Sequence, residues 1–479
     1  MDSQIQKTGA DPVDRPDQSP LRGDLGPAKI TIMVVAAAAP LTVMGGPALL
    51  GLGLGNGVGM PATFLVMSAV LLLFAVGFVA MTPFVKSAGA FYSYVQLGLG
   101  RGAGLGAGLT ALVSYMSIEA GMLGLLGTGM DSLITSYGGP HIQWWIYVVV
   151  LFPIVTFLGY RNIELAGKVL TVFLVAEVSV VIVLDLVITA NGGGPEGLST
   201  ASLSPTSLFQ GSLGLALMFA ILSFIGFEAA AVFRDEARDP NRTIPRATYS
   251  ALIIVGVFYA FSTWSMISAV GDSRVASYAA ENASTMLGTV GKQFLGTTGA
   301  HLIEALFVTS VFACILSFHN IASRYIYSLS NRGVFSPKLA VAHPKYGSPA
   351  RACLAVTAIC SIANIIGLLF GLDPVNQFYT WLGGVGALGF MVLMTVTCAA
   401  VVAFFRRSNH RDGHSLWRTT IAPALGFLGM LGSTILTVWN LESLVGGSTA
   451  VAIAVVVLIV GLFIGGFVVA KTRPETGME

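Results

Sequence analysis

Residues 30–54 read ITIMVVAAAAPLTVMGGPALLGLGL, an uncharged run punctuated at its centre by Pro40, Gly45, Gly46 and Pro47. The hydrocarbon core of a bilayer is about 30 Å thick and takes about 20 apolar helical residues to cross. This run is long enough to cross. Yet proline removes an intrahelical N–H and crowds the preceding turn, and adjacent glycines resist helix on entropic grounds. In hydrocarbon, each backbone group freed in this way costs several kcal/mol unless it finds a partner. Two readings are open: a proline kink that neighbouring helices satisfy, or an interruption whose backbone groups hold a solute.

Further apolar runs follow at 60–82, 104–130, 143–159, 166–190, 210–232, 247–270, 302–323, 351–370, 376–403, 420–439 and 449–470. With 30–54 they make twelve expected membrane spans. Outer-membrane strands would instead be alternating segments of about ten residues. The chain is 54% hydrophobic and 10% charged, whereas soluble domains are about 25% charged. Its 57 glycines follow no collagen period and suit close helix approach in a bilayer. A net charge of +2 offers no basic field for nucleic acid. Cys314, Cys353, Cys360 and Cys398 all lie in apolar runs and suggest neither a metal site nor a disulfide framework. No G-x-x-x-x-G-K-[ST] loop occurs, and Gly51–Gly57 reads as the end of span 1 and not as a nucleotide loop. No cofactor is expected.

Charge sets the expected orientation. With both ends on one side, all 25 Lys and Arg fall on that side except Arg274 and Lys292. That asymmetry places both termini in the cytoplasm of a multi-pass plasma (inner) membrane protein. The expected organisation is a disordered tail over 1–28, with no signal peptide, and a transport core over 29–403. The core divides into halves of about 29–190 and 210–403. Spans 11 and 12 occupy 404–470, and a tail follows over 471–479. The outer connection 271–301 is expected to hold a short helix from Tyr278 to Leu287.

A second punctuated run is Phe219-Ala220-Ile221-Leu222-Ser223-Phe224-Ile225-Gly226-Phe227-Glu228-Ala229-Ala230-Ala231, in span 6. Spans 1 and 6 hold equivalent places if the first ten spans are two units of five. Interrupted helices in corresponding positions of two halves point to a binding site at mid-membrane. Half-helix N-termini there would favour a carboxylate, and exposed carbonyls an ammonium.

The stretch Phe224-Ile225-Gly226-Phe227-Glu228, then Arg234-Asp235-Glu236-Ala237-Arg238-Asp239-Pro240 and Thr243-Ile244-Pro245-Arg246-Ala247, resembles the span-6 signature of the amino acid–polyamine–organocation transporters. Ser87-Ala88-Gly89-Ala90-Phe91-Tyr92-Ser93-Tyr94 resembles that family's segment after span 2. Asn320-Ile321-Ala322-Ser323-Arg324-Tyr325-Ile326-Tyr327, with Asn331-Arg332-Gly333, resembles its end of span 8. The resemblance implies an all-α polytopic fold of twelve transmembrane helices, two inverted five-helix repeats plus two C-terminal helices, working by alternating access. It further implies that the amides of Thr42, Val43, Met44, Gly45 and Gly46 hold a substrate carboxylate. Carbonyls of Ala38, Ala39, Phe224 and Ile225 would face the amine, with Phe227 as an aromatic gate. The family usually has Gly-x-Gly-Ile at the span-1 break, and this chain does not. Several proton-coupled relatives carry a lysine in span 5 where this chain has Glu177.

A carboxyl inside a span takes a proton or finds a partner. Glu177 is the candidate for proton coupling, with Glu119 and Glu228 as competitors; each is equally readable as a packing or gating hydrogen-bond group. Asp185 and Glu304 lie near span ends, within reach of the interface, and His319 reads as a packed core residue. Thr309 and Ser310 supply the hydroxyls that a sodium site between spans 1 and 8 would need. The expected function is proton-coupled uptake of an amino acid by a monomer or weak homodimer. A polyamine or biogenic amine permease or antiporter is the alternative, and a non-transporting sensor a further one. No His-x-x-x-His or Gly-x-Ser-x-Gly occurs within a span, so no enzyme is expected.

Overall fold

The computed structural model describes residues 26–85, 91–161, 167–228, 237–407 and 415–472. The resembling residues Ser87-Ala88-Gly89-Ala90 and Arg234-Asp235-Glu236 lie outside the described residues, as do 1–25 and 473–479 of the two expected tails.

All regular structure among the described residues is helical, apart from one isolated bridge between Gly194 and Gly197. The chain opens with α1 (Pro27–Ala37), α2 (Pro40–Met44) and α3 (Pro47–Leu50), which runs into a wide turn, Gly51–Gly55. Next come α4 (Met60–Met81), α5 (Phe91–Leu99), α6 (Arg101–Ser136), α7 (Trp144–Tyr160), α8 (Gly167–Ala190) and α9 (Leu213–Phe224). The second half holds α10 (Pro240–Val270), α11 (Val275–Glu281), α12 (Met286–Asn331), α13 (Ala350–Leu369), α14 (Thr380–Arg407), α15 (Ala422–Leu444) and α16 (Thr449–Thr472).

Among the described residues nine helices are long and apolar enough to cross a membrane: α4, α6, α8, α10 and α12 to α16. The shorter apolar helices Pro40–Gly55, Trp144–Tyr160 and Leu213–Phe224 occupy the three other positions at which the sequence expects a span. Two of these are short because the backbone breaks where proline or glycine stands.

The outer connection differs from expectation. Its helix is α11, ending at Glu281, and a new helix starts at Met286 and joins span 8 through a kink at Gly296, whose φ is 70°. Residues 286–295 belong to α12 instead of closing the short helix. At the other end, α1 starts at Pro27, inside the expected tail, with proline at a position where its missing N–H costs nothing.

The core is built around α6, which packs against α5, α7, α12, α13, α14 and α16. Its glycines permit that crowding. Gly106 of α6 meets Gly466 of α16 so closely that a Cβ on either would collide with the partner's backbone. Gly466→Leu is therefore expected to destabilise the protein by about 1–3 kcal/mol through overpacking, read as a lower thermal midpoint in detergent. The outward face is apolar. Val451, Ile453, Val457, Val460, Ile464 and Val468 of α16 are exposed, as only a lipid-facing surface would leave them. Trp439 near the end of α15 and Phe370 at the end of α13 are also exposed, where interfacial aromatics gather.

Candidate functional site

The first expected span is broken twice. Ala39, the one non-glycine residue with positive φ among the described residues (φ 44°), separates α1 from α2. Pro40 supplies no N–H, so the ladder cannot pass this point. Gly45 and Gly46 (φ −131°, ψ −102°) then separate α2 from α3, which again begins with a proline. Both breaks are buried: Ala38 to Leu50 are all shielded from solvent.

A carboxylate from another helix reaches the first break through a serine hydroxyl. The opening amides of α2 lack intrahelical acceptors. The Thr42 amide donates to Ser310 Oγ of α12 at 3.3 Å, and the Thr42 hydroxyl donates to the same oxygen at 2.8 Å. Ser310 Oγ in turn donates to Glu177 Oε2 at 2.8 Å. An acid at the positive end of a half-helix is favourably placed, so Glu177, Ser310 and Thr42 form one chain of hydrogen bonds joining α2, α8 and α12. The remaining amides are also engaged. Val43 donates to Ala39 O at 3.1 Å, Gly45 to Leu41 O at 2.9 Å and Gly46 to Val43 O at 3.2 Å. The last of these lies outside any regular helix.

Span 6 breaks as well. Helix α9 stops at Phe224, Ile225 turns to φ −58°, ψ 132°, and Gly226 takes φ 114°. The carbonyls of its last turn have no intrahelical donors. Here a carboxylate caps the break directly: Glu228 Oε2 accepts from the Gly226 amide at 2.9 Å, and Glu228 Oε1 accepts from the Tyr115 hydroxyl of α6 at 2.8 Å. A side chain at Gly226 would have to adopt a φ that costs about 1–3 kcal/mol. Gly226→Ala is expected to lower stability by that amount and to reduce substrate uptake, measured on the same purified sample.

Tyr259 of α10 joins the two breaks. Its ring meets the Phe224 ring edge-on at 6.1 Å, and its hydroxyl donates to Ala38 O at 3.3 Å. Around the second break, a Cβ on Gly46 would lie 2.9 Å from Thr42 O, 3.2 Å from Leu125 Cδ2 and 3.3 Å from the Tyr379 hydroxyl. The ring of Phe307 covers Gly45 and also packs on Gly129. Beyond that ring lies a cavity of about 20 Å³, lined by Gly45, Ser132, Gly288, Glu304 and Phe307 among others. A larger cavity of about 560 Å³ opens between α4, α10 and the start of α15, beside Arg242, Arg246 and Arg418, and touches neither break.

A family model described as amino acid permease matches residues 25–464. The chain belongs to the amino acid permease family. It is similar to the low-affinity putrescine importer PlaP of Escherichia coli (strain K12), 26% identical over 387 residues, or 78% of this chain and 79% of that protein. The serine/threonine exchanger SteT of Bacillus subtilis (strain 168) is 21% identical over 366 residues, 74% and 77% of the two chains. The aromatic amino acid transport protein AroP of Escherichia coli (strain K12) is 25% identical over 310 residues, 61% and 65%. Among solved structures, a manganese transporter of Eremococcus coleocola superposes with a TM-score of 0.58 at 14% identity, covering 93% of this chain and 95% of that one. That likeness is one of fold alone.

In this amino acid permease the residues expected at the site fall into three groups. Ala38, Ala39, Thr42, Val43, Met44, Gly45 and Gly46 lie in and between the two span-1 breaks, and Phe224 and Ile225 end α9. Glu177 reaches the first break through Ser310, and Glu228 caps the break in span 6. Phe227 is buried edge-on against Phe74 of α4, with ring centroids 5.8 Å apart; the aromatic residues beside Gly45 and Gly46 are Phe307 and Tyr379. Glu119 lies elsewhere, with its Oε1 2.6 Å from His319 Nδ1 and both side chains fully enclosed. His319 Nε2 lies 3.1 Å from Cys353 Sγ. Removing one member of a buried pair strands the other, so His319→Ala is expected to cost about 3–5 kcal/mol. A double Glu119→Leu, His319→Leu variant should recover most of that stability in a thermal melt. Thr309, a possible sodium ligand by sequence, bonds its own helix at Leu306 O, 2.9 Å away.

Two acids depart from expectation. Asp185 does not reach the interface: it is 1% exposed and accepts from Ser262 Oγ of α10 at 2.6 Å. Glu304 is half-buried and accepts from Ser132 Oγ of α6 at 3.2 Å. Tyr115, Tyr259, Phe307 and Tyr379 were not marked by the sequence, because an aromatic residue in an apolar helix reads as core.

Proposed function

We propose that this permease is a secondary transporter of a small amino acid or related amine, working by alternating access and driven by protons. The observation that carries the reading is the pair of interrupted helices, each reached by a carboxylate, Glu177 through Ser310 and Glu228 directly, and bridged to each other by Tyr259. A substrate carboxylate would take the Gly46 amide, whose existing bond is the one outside a helical ladder. The substrate ammonium would face the carbonyls ending α9, which have no donors within that helix. The curated relatives include an importer of putrescine and an exchanger of serine and threonine, which supports amino acids or short amines as the substrate class.

The finer architecture belongs to the same proposal. Twelve spans form two inverted repeats of five, over about 29–190 and 210–403, with α15 and α16 added. Both termini face the cytoplasm, and the plasma membrane is the site of action. Glu177 is the proton carrier, because it reaches the break in span 1 through Ser310 of α12. Sodium coupling is a second reading, favoured by one observation: Glu177, Ser310 and Thr42 gather three oxygens of the kind hard cations bind.

Purified full-length protein in liposomes tests the proposal. Uptake of labelled amino acids and putrescine should follow an imposed pH gradient, inside alkaline, and persist when sodium is replaced by choline. Loss of uptake in choline would transfer the coupling to sodium. No flux of any amino acid or amine would leave a sensor and reject transport.

A further inference from the structure

We propose that Glu304 selects substrates carrying a second ammonium group, so that the permease handles diamines in preference to their monoamine analogues. The proposal rests on the transport reading above and names the substrate class of that site.

Elimination leads to Glu304. Both oxygens of Glu228 are taken, by Tyr115 and Gly226. Glu177 accepts from Ser310, and Asp185 from Ser262. Glu119 forms the enclosed pair with His319. Among the described residues, three carboxylate oxygens are shut from solvent without a hydrogen-bond partner, on Glu119, Asp272 and Glu304. Asp272 stands in the outer connection, where its other oxygen meets the Ala201 amide. Only Glu304 lines a cavity that also reaches the span-1 break, at Gly45.

Geometry gives that carboxylate its role. Glu304 and Phe307 are three residues apart on α12, so they are neighbours on one face, with about 5–6 Å between Cβ atoms. Phe307 lies directly on Gly45, so one aromatic ring separates the break from the acid. A diamine whose first ammonium is held at the Gly45–Gly46 break by the carbonyls that end α2, with Phe307 turned aside, would extend along α12 for the length of a short aliphatic chain. Its far end would then meet Glu304. One Glu304 oxygen is already oriented by Ser132, and the other has no partner. A polar oxygen shut from solvent without a partner is costly, and an arriving ammonium supplies the missing donor, whereas a methyl group does not.

The test compares putrescine with n-butylamine, which has the same chain and one ammonium fewer. Uptake would be measured in liposomes for the wild-type full chain, Glu304→Gln and Glu304→Asp. A charge-assisted hydrogen bond predicts a wild-type preference for putrescine of roughly ten- to hundredfold in kcat/KM. Glu304→Gln should erase that preference while leaving butylamine uptake and the thermal midpoint near wild type, and Glu304→Asp should restore part of it. An unchanged preference in Glu304→Gln would overturn the proposal. So would a wild type that carries neutral amino acids but discriminates against putrescine, although the transport reading would then stand. A wild type that moves neither amines nor amino acids removes both.

Discussion

Glu177→Gln is expected to abolish accumulation of substrate against its gradient while leaving exchange of substrate for substrate intact. Glutamine keeps the shape of the side chain and an oxygen to accept from Ser310, so the chain of hydrogen bonds to α2 survives. What it cannot do is bind and release a proton. In proteoliposomes with an imposed pH gradient, the ratio of internal to external substrate should fall to about one, and counterflow should persist. Glu177→Ala provides the contrast. It strands the Ser310 hydroxyl, a buried polar group costing about 1–3 kcal/mol when unsatisfied, and should impair folding as well as transport. Undiminished pH-driven accumulation by Glu177→Gln would remove Glu177 from coupling.

Gly45→Ala is expected to cut substrate uptake by at least about tenfold. A Cβ at this position lies 2.8 Å from Phe307 Cδ2, closer than carbon atoms tolerate. The ring must move, which disfavours every state in which Phe307 covers the break. Overpacking of this kind costs about 1–3 kcal/mol, and about 1.4 kcal/mol is a tenfold change in a conformational equilibrium. Because the clash is with one ring, Phe307→Leu in the same chain should restore uptake more than the separate effects predict. That coupling is read from the four variants of a double-mutant cycle. If the two changes simply add, Phe307 is not the group that Gly45 accommodates.

The two breaks were legible in the sequence because their causes are local. Pro40, Gly45, Gly46 and Pro47 forbid a continuous ladder whatever surrounds them, and Gly226 beside Glu228 is a weaker form of the same signal. Long uncharged runs likewise give the all-helical membrane class directly. The partners of the acids were not legible, since they depend on which helices touch. Ser310 lies 268 residues from Thr42 and 133 from Glu177 in the chain, and His319 lies 200 from Glu119. Asp185 was assigned toward a span end by counting residues, but α10 brings Ser262 against it and keeps it inside. The outer connection differs from expectation because residues 286–295 are helical and join span 8 across a kink at Gly296, a long-range backbone feature that local composition does not reveal. Phe307 and Tyr379 escaped notice for a different reason: on a helix buried all round, amphipathic periodicity no longer separates a gate from the core.

The central claim is that substrate is held at mid-membrane by backbone groups freed at Gly45–Gly46 and at the end of α9. A cryo-electron microscopy structure of the permease in nanodiscs, saturated with a transported amino acid, measures this directly. Ligand density within hydrogen-bond distance of the Gly46 amide and the Phe224 or Ile225 carbonyl is the predicted result. Continuous hydrogen-bonded helices through both breaks in the bound state, or ligand density remote from them, would contradict it.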